Sequence, residues 1–333
     1  MEKISVIGAG SWGSALARIL GDNQHDVLLY DTDCDVVNEI NQYHTNLKKL
    51  PVGRLPERVK ATNVMKEALD FAQIVILAVP TKVLREVLGQ MNQYLTSAKL
   101  FVNTSKALEP KTFLRVSEVL REVIDESYIQ GFVALTGPSH AEEVIRQMLT
   151  TICAVSNNRV DAIKVQHLFN NHTYFRVYTG SDLIGSELCG SIKNVYAIAS
   201  GMLEGLGLGD NARAGLISRA LVEMKRIVVA LGAKEETLYG LTGIGDLVVT
   251  TTSHHSRNFQ AGVKLAQGKN LDETIASMSM VVEGARTAEA VYLKSKALGL
   301  ETPIIDAVYR VIYEKQGVQE AVNELMMRSL KEE

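Results

Sequence analysis

The sequence predicts an α/β chain in which a doubly wound, mostly parallel sheet comes first and an all-helical domain follows. Three observations carry this. Short β-branched runs alternate with helical patterns up to about residue 180, the first of those runs lack a polar alternation, and strand-like runs nearly vanish after Gly180. Alternating strands and helices imply parallel strands joined by crossover helices, and a strand with no polar face is buried on both sides. The expected division is therefore residues 1–180 and 181–333.

The strands expected in the first part are Ile4 to Ile7, Val27 to Tyr30, Ile74 to Val79, Leu100 to Thr104, Phe132 to Thr136, Thr151 to Val155 and Tyr174 to Tyr178. The stretch from His44 to Thr62 carries Pro51 and Pro56 and reads as an ordered insertion. Beyond Gly180, Asp182 is a natural N-cap for apolar residues at helical spacing, Leu183, Ile184, Leu188, Ile192, Val195 and Ala199. That helix should stop between Gly205 and Gly209, with further helices at Ala214 to Leu231, Phe259 to Gln267, Thr287 to Ala297 and Ile304 to Glu314. No low-complexity segment or fixed-period repeat interrupts the pattern.

Composition narrows the partners. The 333 residues are 46% hydrophobic, enough apolar material for more than one core. A net charge of -3 provides no broad field for nucleic acid or an anionic membrane, so an anion needs a local site and the expected partner is small. Cys34, Cys153 and Cys189 show no paired spacing, which argues against a disulfide framework or a Cys-rich zinc site and fits a reducing cytoplasm. The chain opens directly into a strand-like run without signal-peptide features, and its most apolar run, Ile74 to Val79, is far too short to span a bilayer. His254 and His255 are adjacent rather than spaced for one helical face, so no metal is expected.

Gly8-Ala9-Gly10-Ser11-Trp12-Gly13 follows the first strand and leads into the helical stretch Ser14 to Leu20. In that setting GxGxxG is the fingerprint of a Rossmann-like dinucleotide site. Gly8 permits the tight turn, Gly10 lets backbone approach a pyrophosphate, and Gly13 lets the helix pack on the strand. Asp31 ends the second strand at the distance where an acid accepts from the adenosine ribose, which leans the site toward NAD(H). With Asp33 and Asp35 beside it and no Arg or Lys between residues 31 and 35, NADP(H) would meet repulsion unless a basic residue arrives from elsewhere.

Chemistry needs a proton carrier and an anion grip. On the Asp182 helix, Ser186, Cys189, Gly190, Lys193 and Ala197 share a face, so Lys193 stands among small side chains that leave room for a ligand, with Asn194 adjoining. Gly243-Ile244-Gly245-Asp246 presents a carboxylate on a turn, and Ser256-Arg257-Asn258 combines a planar cationic fork with neutral donors suited to a phosphomonoester. Thr104-Ser105-Lys106-Ala107 and Gly137-Pro138-Ser139-His140-Ala141 follow expected strands at the carboxyl ends where open sheets bind ligands.

Taken in order, GAGSWG, Ser105-Lys106, GPSHAEE from Gly137, Lys193-Asn194, GDNA from Gly209, TGIGDL from Thr242, HSRN from His255 and VVEGARTA from Val281 closely resemble the bacterial-type NAD(P)-dependent glycerol-3-phosphate dehydrogenases. The resemblance spans nearly the whole chain. It implies hydride transfer between nicotinamide and dihydroxyacetone phosphate or sn-glycerol 3-phosphate, with Lys193 as acid/base residue. It also implies substrate binding by Lys106, Gly137, Ser139, Lys193, Asp246, Ser256, Arg257 and Asn258. Cofactor contacts are implied for Ser11, Trp12, Asp31, Lys106, Ala141, Arg257, Val281 and Glu283, alongside Gly8, Gly10 and Gly13 of the fingerprint. A Rossmann domain joined to a helical one, a homodimer, and supply of glycerol phosphate for phospholipid synthesis come with it. Ala107 and Cys189 stand where the family often has glycine, and the acidic Asp31 where a neutral or basic residue is common. Two rival readings are a dehydrogenase of a small β-hydroxy acid and a nucleotide sensor without turnover.

Overall fold

The computed structural model describes residues 1–110, 112–278, 282–330 and 332. Within them the chain divides into two compact units, Met1–Glu109 with Leu114–Glu187, and Pro110–Phe113 with Leu188–Glu333.

The first unit is built on an eight-stranded sheet in the order β3-β2-β1-β4-β5-β6-β7-β8. The strands are β1 (Lys3–Ile7), β2 (Asp26–Tyr30), β3 (Val59–Thr62), β4 (Ile74–Leu77), β5 (Lys99–Asn103), β6 (Ile129–Thr136), β7 (Thr150–Val155) and β8 (Phe175–Gly180). All neighbours run parallel except β6 and β7, which are antiparallel at Ala134↔Val155 to Thr136↔Cys153. The order reverses between β1 and β4, which pair from Ile4↔Ile74 to Ile7↔Leu77, so a topological switch point lies at their carboxyl ends.

The expected burial of the central strands follows from period two. Ile74, Ile76, Leu100 and Val102 enter one core, with Leu16, Ile19 and Leu20 of α1 (Ser11–Asp22) and Val165 and Phe169 of α7 (Arg159–Phe169). Val75, Leu77 and Phe101 enter the other, with Ala68 and Leu69 of α3 (Met65–Phe71), Leu84 and Leu88 of α4 (Thr81–Asn92), and Val119 of α5 (Val116–Val123). Successive residues thus serve opposite layers, which is why these strands have no polar side.

All seven expected strands form. β3 is an addition, located at the end of the stretch that the sequence reading treated wholly as an insertion. It is four residues long with an exposed Lys60, too short and interrupted to announce itself. The remainder of that stretch is ordered by its own bonds. After α2 (Cys34–Tyr43), Asn46 Nδ2 donates to the Ala9 carbonyl at 2.7 Å and to Ser14 Oγ at 2.9 Å, while Leu50 and Leu55 are buried. The loop is therefore clamped onto the glycine turn.

Helix α6 (Ala141–Val144) follows β6, and α8 (Leu183–Gly205) carries the chain into the second unit. Asp182 caps it, its Oδ1 accepting from the Gly185 N–H at 3.0 Å. The second unit continues as α9 (Gly209–Ala230), α10 (Asp246–Thr252), α11 (Arg257–Ala266), α12 (Leu271–Met278), α13 (Glu283–Ala297), α14 (Pro303–Tyr313) and α15 (Val318–Met326), with no strand among its described residues. α8 and α11 cross with their backbones in contact. A Cβ on Gly201 or on Gly262 would run into a main-chain carbonyl oxygen of the other helix, that of Phe259 or Ile198. α10, α12 and α15 were not anticipated. At seven to nine residues they are too short for a sustained periodic signal.

Candidate active site

In the first unit the glycine turn has the geometry its sequence requires. Gly8 sits at φ +109, and a Cβ there would lie 2.9 Å from the Ala78 carbonyl oxygen, while a Cβ on Gly13 would strike the Gly8 carbonyl. Gly10 differs, because nothing of the protein lies within 4 Å of its missing Cβ. It is the N-cap of α1, whose first turn has neither a side-chain cap nor an acidic side chain, so the positive helix end there is uncompensated. That is the cradle an anion requires. Ser11 Oγ donates to the Lys49 carbonyl at 2.5 Å, and the Trp12 Nε1–H is buried without an acceptor among the described residues.

The Asp31 carboxylate is fixed from both sides. Oδ2 accepts from the Ala9 N–H at 3.0 Å and Oδ1 from the Asp33 N–H at 3.0 Å, leaving lone pairs on each oxygen for hydroxyl donors. Asp33 caps α2 through the Asp35 N–H and pairs with Lys48 at 2.6 Å. The acidic corner thus receives a cation from the inserted loop.

The ends of β5 and β6 bring three expected residues together. Lys106 Nζ donates to the Gly137 carbonyl at 2.7 Å and to Ser139 Oγ at 3.1 Å. Gly137 holds φ +136, with Ile152 Cα 3.0 Å from where a Cβ would be, so the turn presenting its carbonyl needs glycine. Ala141 begins α6 and is buried.

In the second unit Lys193 and Asp246 meet inside the protein. Lys193 Nζ lies 2.6 Å from Asp246 Oδ1, with side-chain exposures of 5% and 1%. Nζ also donates to Thr250 Oγ1 at 2.8 Å, and that hydroxyl donates to the Asp246 carbonyl at 2.5 Å. Asp246 enters from a π-helical turn, Leu241–Gly245, in which the Gly245 N–H bonds the Gly240 carbonyl. Such turns are rare and cluster at functional sites. Gly243 allows the turn to press on the main chain of Leu238.

The small face around Lys193 is not left open to solvent. Ser186, Cys189 and Ala197 are all buried. Next to Lys193, Asn194 accepts from Asn258 Nδ2 at 2.9 Å, and Asn258 Oδ1 accepts from the Gly284 N–H at 2.9 Å. Asn258 thereby ties α8, α11 and the start of α13 together, leaving one amide hydrogen for a ligand. Ser256 Oγ caps α11 through the Phe259 N–H, Arg257 is exposed at the first position of that helix, and Glu283 opens α13. Val281 lies outside the described residues.

Sequence reading misses Thr250 and the bonds that tie the inserted loop to the glycine turn. Thr250 stands four residues after Asp246 and so shares its helix face, a signal available only once Asp246 is read as the start of a helix.

Comparison with known proteins places these features in a family. The family model described as NAD-dependent glycerol-3-phosphate dehydrogenase N-terminus matches residues 3–162, and that of the C-terminus matches residues 182–323. The chain belongs to the NAD-dependent glycerol-3-phosphate dehydrogenase family. It is accordingly an oxidoreductase working with a nicotinamide dinucleotide. The family's glycerol-3-phosphate dehydrogenase, NAD(P)+, of Geobacillus thermodenitrificans is 49% identical over 333 residues, covering 100% of this chain and 97% of that one. The protein of the same name from Staphylococcus aureus is 47% identical with 100% of each covered. Among solved structures, glycerol-3-phosphate dehydrogenase from Coxiella burnetii superposes with TM-score 0.91 at 35% identity, covering 98% of this chain and 99% of that one.

Proposed function

We propose that the protein interconverts dihydroxyacetone phosphate and sn-glycerol 3-phosphate, with Lys193 as the acid/base residue. The observation that carries this is the buried Lys193–Asp246 pair with Thr250 on the same ammonium, in a member of this family. Residues 1–180 form the dinucleotide domain and 181–333 the substrate domain in this reading. Gly8, Gly10, Ser11, Trp12, Gly13 and Asp31 hold the cofactor, with Lys106, Ala141, Arg257, Val281 and Glu283 also contributing.

The nicotinamide supplies the hydride in reduction and receives it in oxidation. Lys193 Nζ gives its proton to the carbonyl oxygen as the alkoxide forms, and takes it back in the other direction. Asp246 compensates a charge that burial would otherwise penalise, and Thr250 limits the directions in which the ammonium can point. Arg257 and Ser256 grip the phosphate, which supplies remote binding energy for orienting the reacting carbon. Asn258 contributes its remaining N–H, and Lys106, Gly137 and Ser139 act as one bonded group against the substrate. The protein works as a homodimer in the cytoplasm and supplies glycerol phosphate for phospholipid synthesis.

The test is the initial rate of nicotinamide oxidation by purified protein with dihydroxyacetone phosphate, for wild type and Lys193→Ala. Wild type is expected to turn over and the variant to lose roughly 1,000-fold in kcat, the scale of general acid catalysis. A folded variant with wild-type kcat would remove Lys193 from the chemistry, and a wild type that reduces only a β-hydroxy acid's keto form would redirect the substrate.

A further inference from the structure

The corner where Asp31 stands carries more charge logic than ribose binding needs. Asp31, Asp33 and Asp35 gather at the end of β2 and the start of α2, a concentration of negative charge that would repel a phosphate on the ribose. Yet the inserted loop delivers Lys48 to this corner, and Asp33 takes it in an ion pair of 2.6 Å. The Asp33 N–H is itself bonded to Asp31 Oδ1, so the pair is attached directly to the carboxylate expected to meet the ribose. Lys48 is 56% exposed and, among the described residues, its ammonium is held by Asp33 alone, so it can turn to a competing anion without disturbing the core. The loop behind it cannot drift away, because Asn46 and Lys49 are bonded to the glycine turn.

We propose that the Asp33–Lys48 pair selects between the two nicotinamide dinucleotides: Asp33 keeps Lys48 engaged so that NADH binds in preference to NADPH, and without that carboxylate Lys48 serves the 2′-phosphate. The inference rests on the dinucleotide reading of the glycine turn. Asp33 holds Lys48 above the ordinary lysine range, and Lys48 holds the Asp33 carboxyl below its own, as mutual engagement requires. A freed ammonium next to a phosphate forms a charge-assisted bond in place of like-charge repulsion, so both the attraction and the rejection change at one position.

Equilibrium binding of NADH and NADPH, and of the fragments 5′-AMP and 2′,5′-ADP, tests this by calorimetry or by fluorescence of Trp12, the single tryptophan of the chain. Asp33→Asn keeps a side-chain acceptor for capping α2, so the helix is retained. Wild type should bind NADH more tightly than NADPH. Asp33→Asn should raise the NADPH-to-NADH affinity ratio by about ten-fold, and Lys48→Ala should lower it by about five-fold, the scale of one charge-assisted contact. The fragment pair should follow the same order. A ratio unchanged or reversed in both variants, with thermal unfolding showing both folded, overturns the proposal while leaving dinucleotide binding intact. Folded protein that binds neither dinucleotide overturns the underlying reading and the proposal with it.

Discussion

Lys193 and Asp246 each make the other's burial tolerable, and that mutual dependence is measurable. Removing one member of a buried pair strands the other charge at a cost of about 3–5 kcal/mol, whereas replacing both with apolar side chains is often neutral. Asp246→Leu should therefore destabilise the protein by roughly 3 kcal/mol, and Lys193→Met/Asp246→Leu should recover most of that loss in urea unfolding. If the double variant were as unstable as the sum of the two singles, the pair would not be the coupling that holds α8 to α10. With Lys193 in the proposed acid/base role, the double variant should also be inactive. The sequence identified both residues because a lysine on a small-residue helix face and an aspartate after Gly-Ile-Gly are each unusual. An orienting contact of Asp246 on the Lys193 ammonium is expected from the sequence, but its burial is not legible, since it depends on two helices crossing, and neither is Thr250, whose hydroxyl looks like any other until α10 is known to begin at Asp246.

At the scale of elements, two glycines inside helices make opposite statements. Gly262 of α11 lies where a Cβ would strike the Ile198 carbonyl, so it sets how closely α8 and α11 approach. Gly215 of α9 has nothing within 4 Å of its missing Cβ and merely loosens the helix. Gly215→Ala should raise stability by about 0.5–1 kcal/mol through helix propensity, and Gly262→Ala should lower it by about 2 kcal/mol or more through overpacking. Thermal unfolding of the two variants side by side decides the matter, and a tolerated Gly262→Ala would mean that the crossing has slack. Uninterrupted apolar, β-branched runs made the seven strands readable, and long periodic patterns made α8, α9, α11, α13 and α14 readable. β3, α10, α12 and α15 were not, because an edge strand of four residues and helices of seven to nine draw their stability from neighbours distant in sequence. The clamp of loop 44–58 on the glycine turn was hidden for the same reason, being held by side-chain bonds that span more than 30 residues.

For the molecule as a whole, a small net charge leaves the pH dependence of stability to individual buried groups. Among the described residues, burial raises the carboxyls of Glu187 and Asp161 in the first compact unit and of Glu223 in the second. Glu187 accepts from the Ser117 N–H at 2.9 Å and its hydroxyl at 2.6 Å, and burial pushes its carboxyl up. Glu223 of α9 is 2% exposed and caps α14, accepting from the Ile304 N–H at 2.8 Å and the Ile305 N–H at 3.0 Å. Burial outweighs those two bonds and pushes its carboxyl up to about 7. An unfolded glutamate titrates near 4.3, so between these values the folded state holds a proton that the unfolded state has released. The stabilisation this gives is complete below about pH 4.3 and is lost as pH rises through about 7, amounting to at most about 4 kcal/mol by linkage. Wild type should therefore lose stability between about pH 5 and 8, and Glu223→Gln, which cannot titrate, should show a flatter profile over that window. The comparison uses slope rather than absolute stability, because the amide keeps only one acceptor for the two N–H groups of α14. Parallel profiles for the two proteins would show that Glu223 is ionised throughout, with its charge fully satisfied by the helix end.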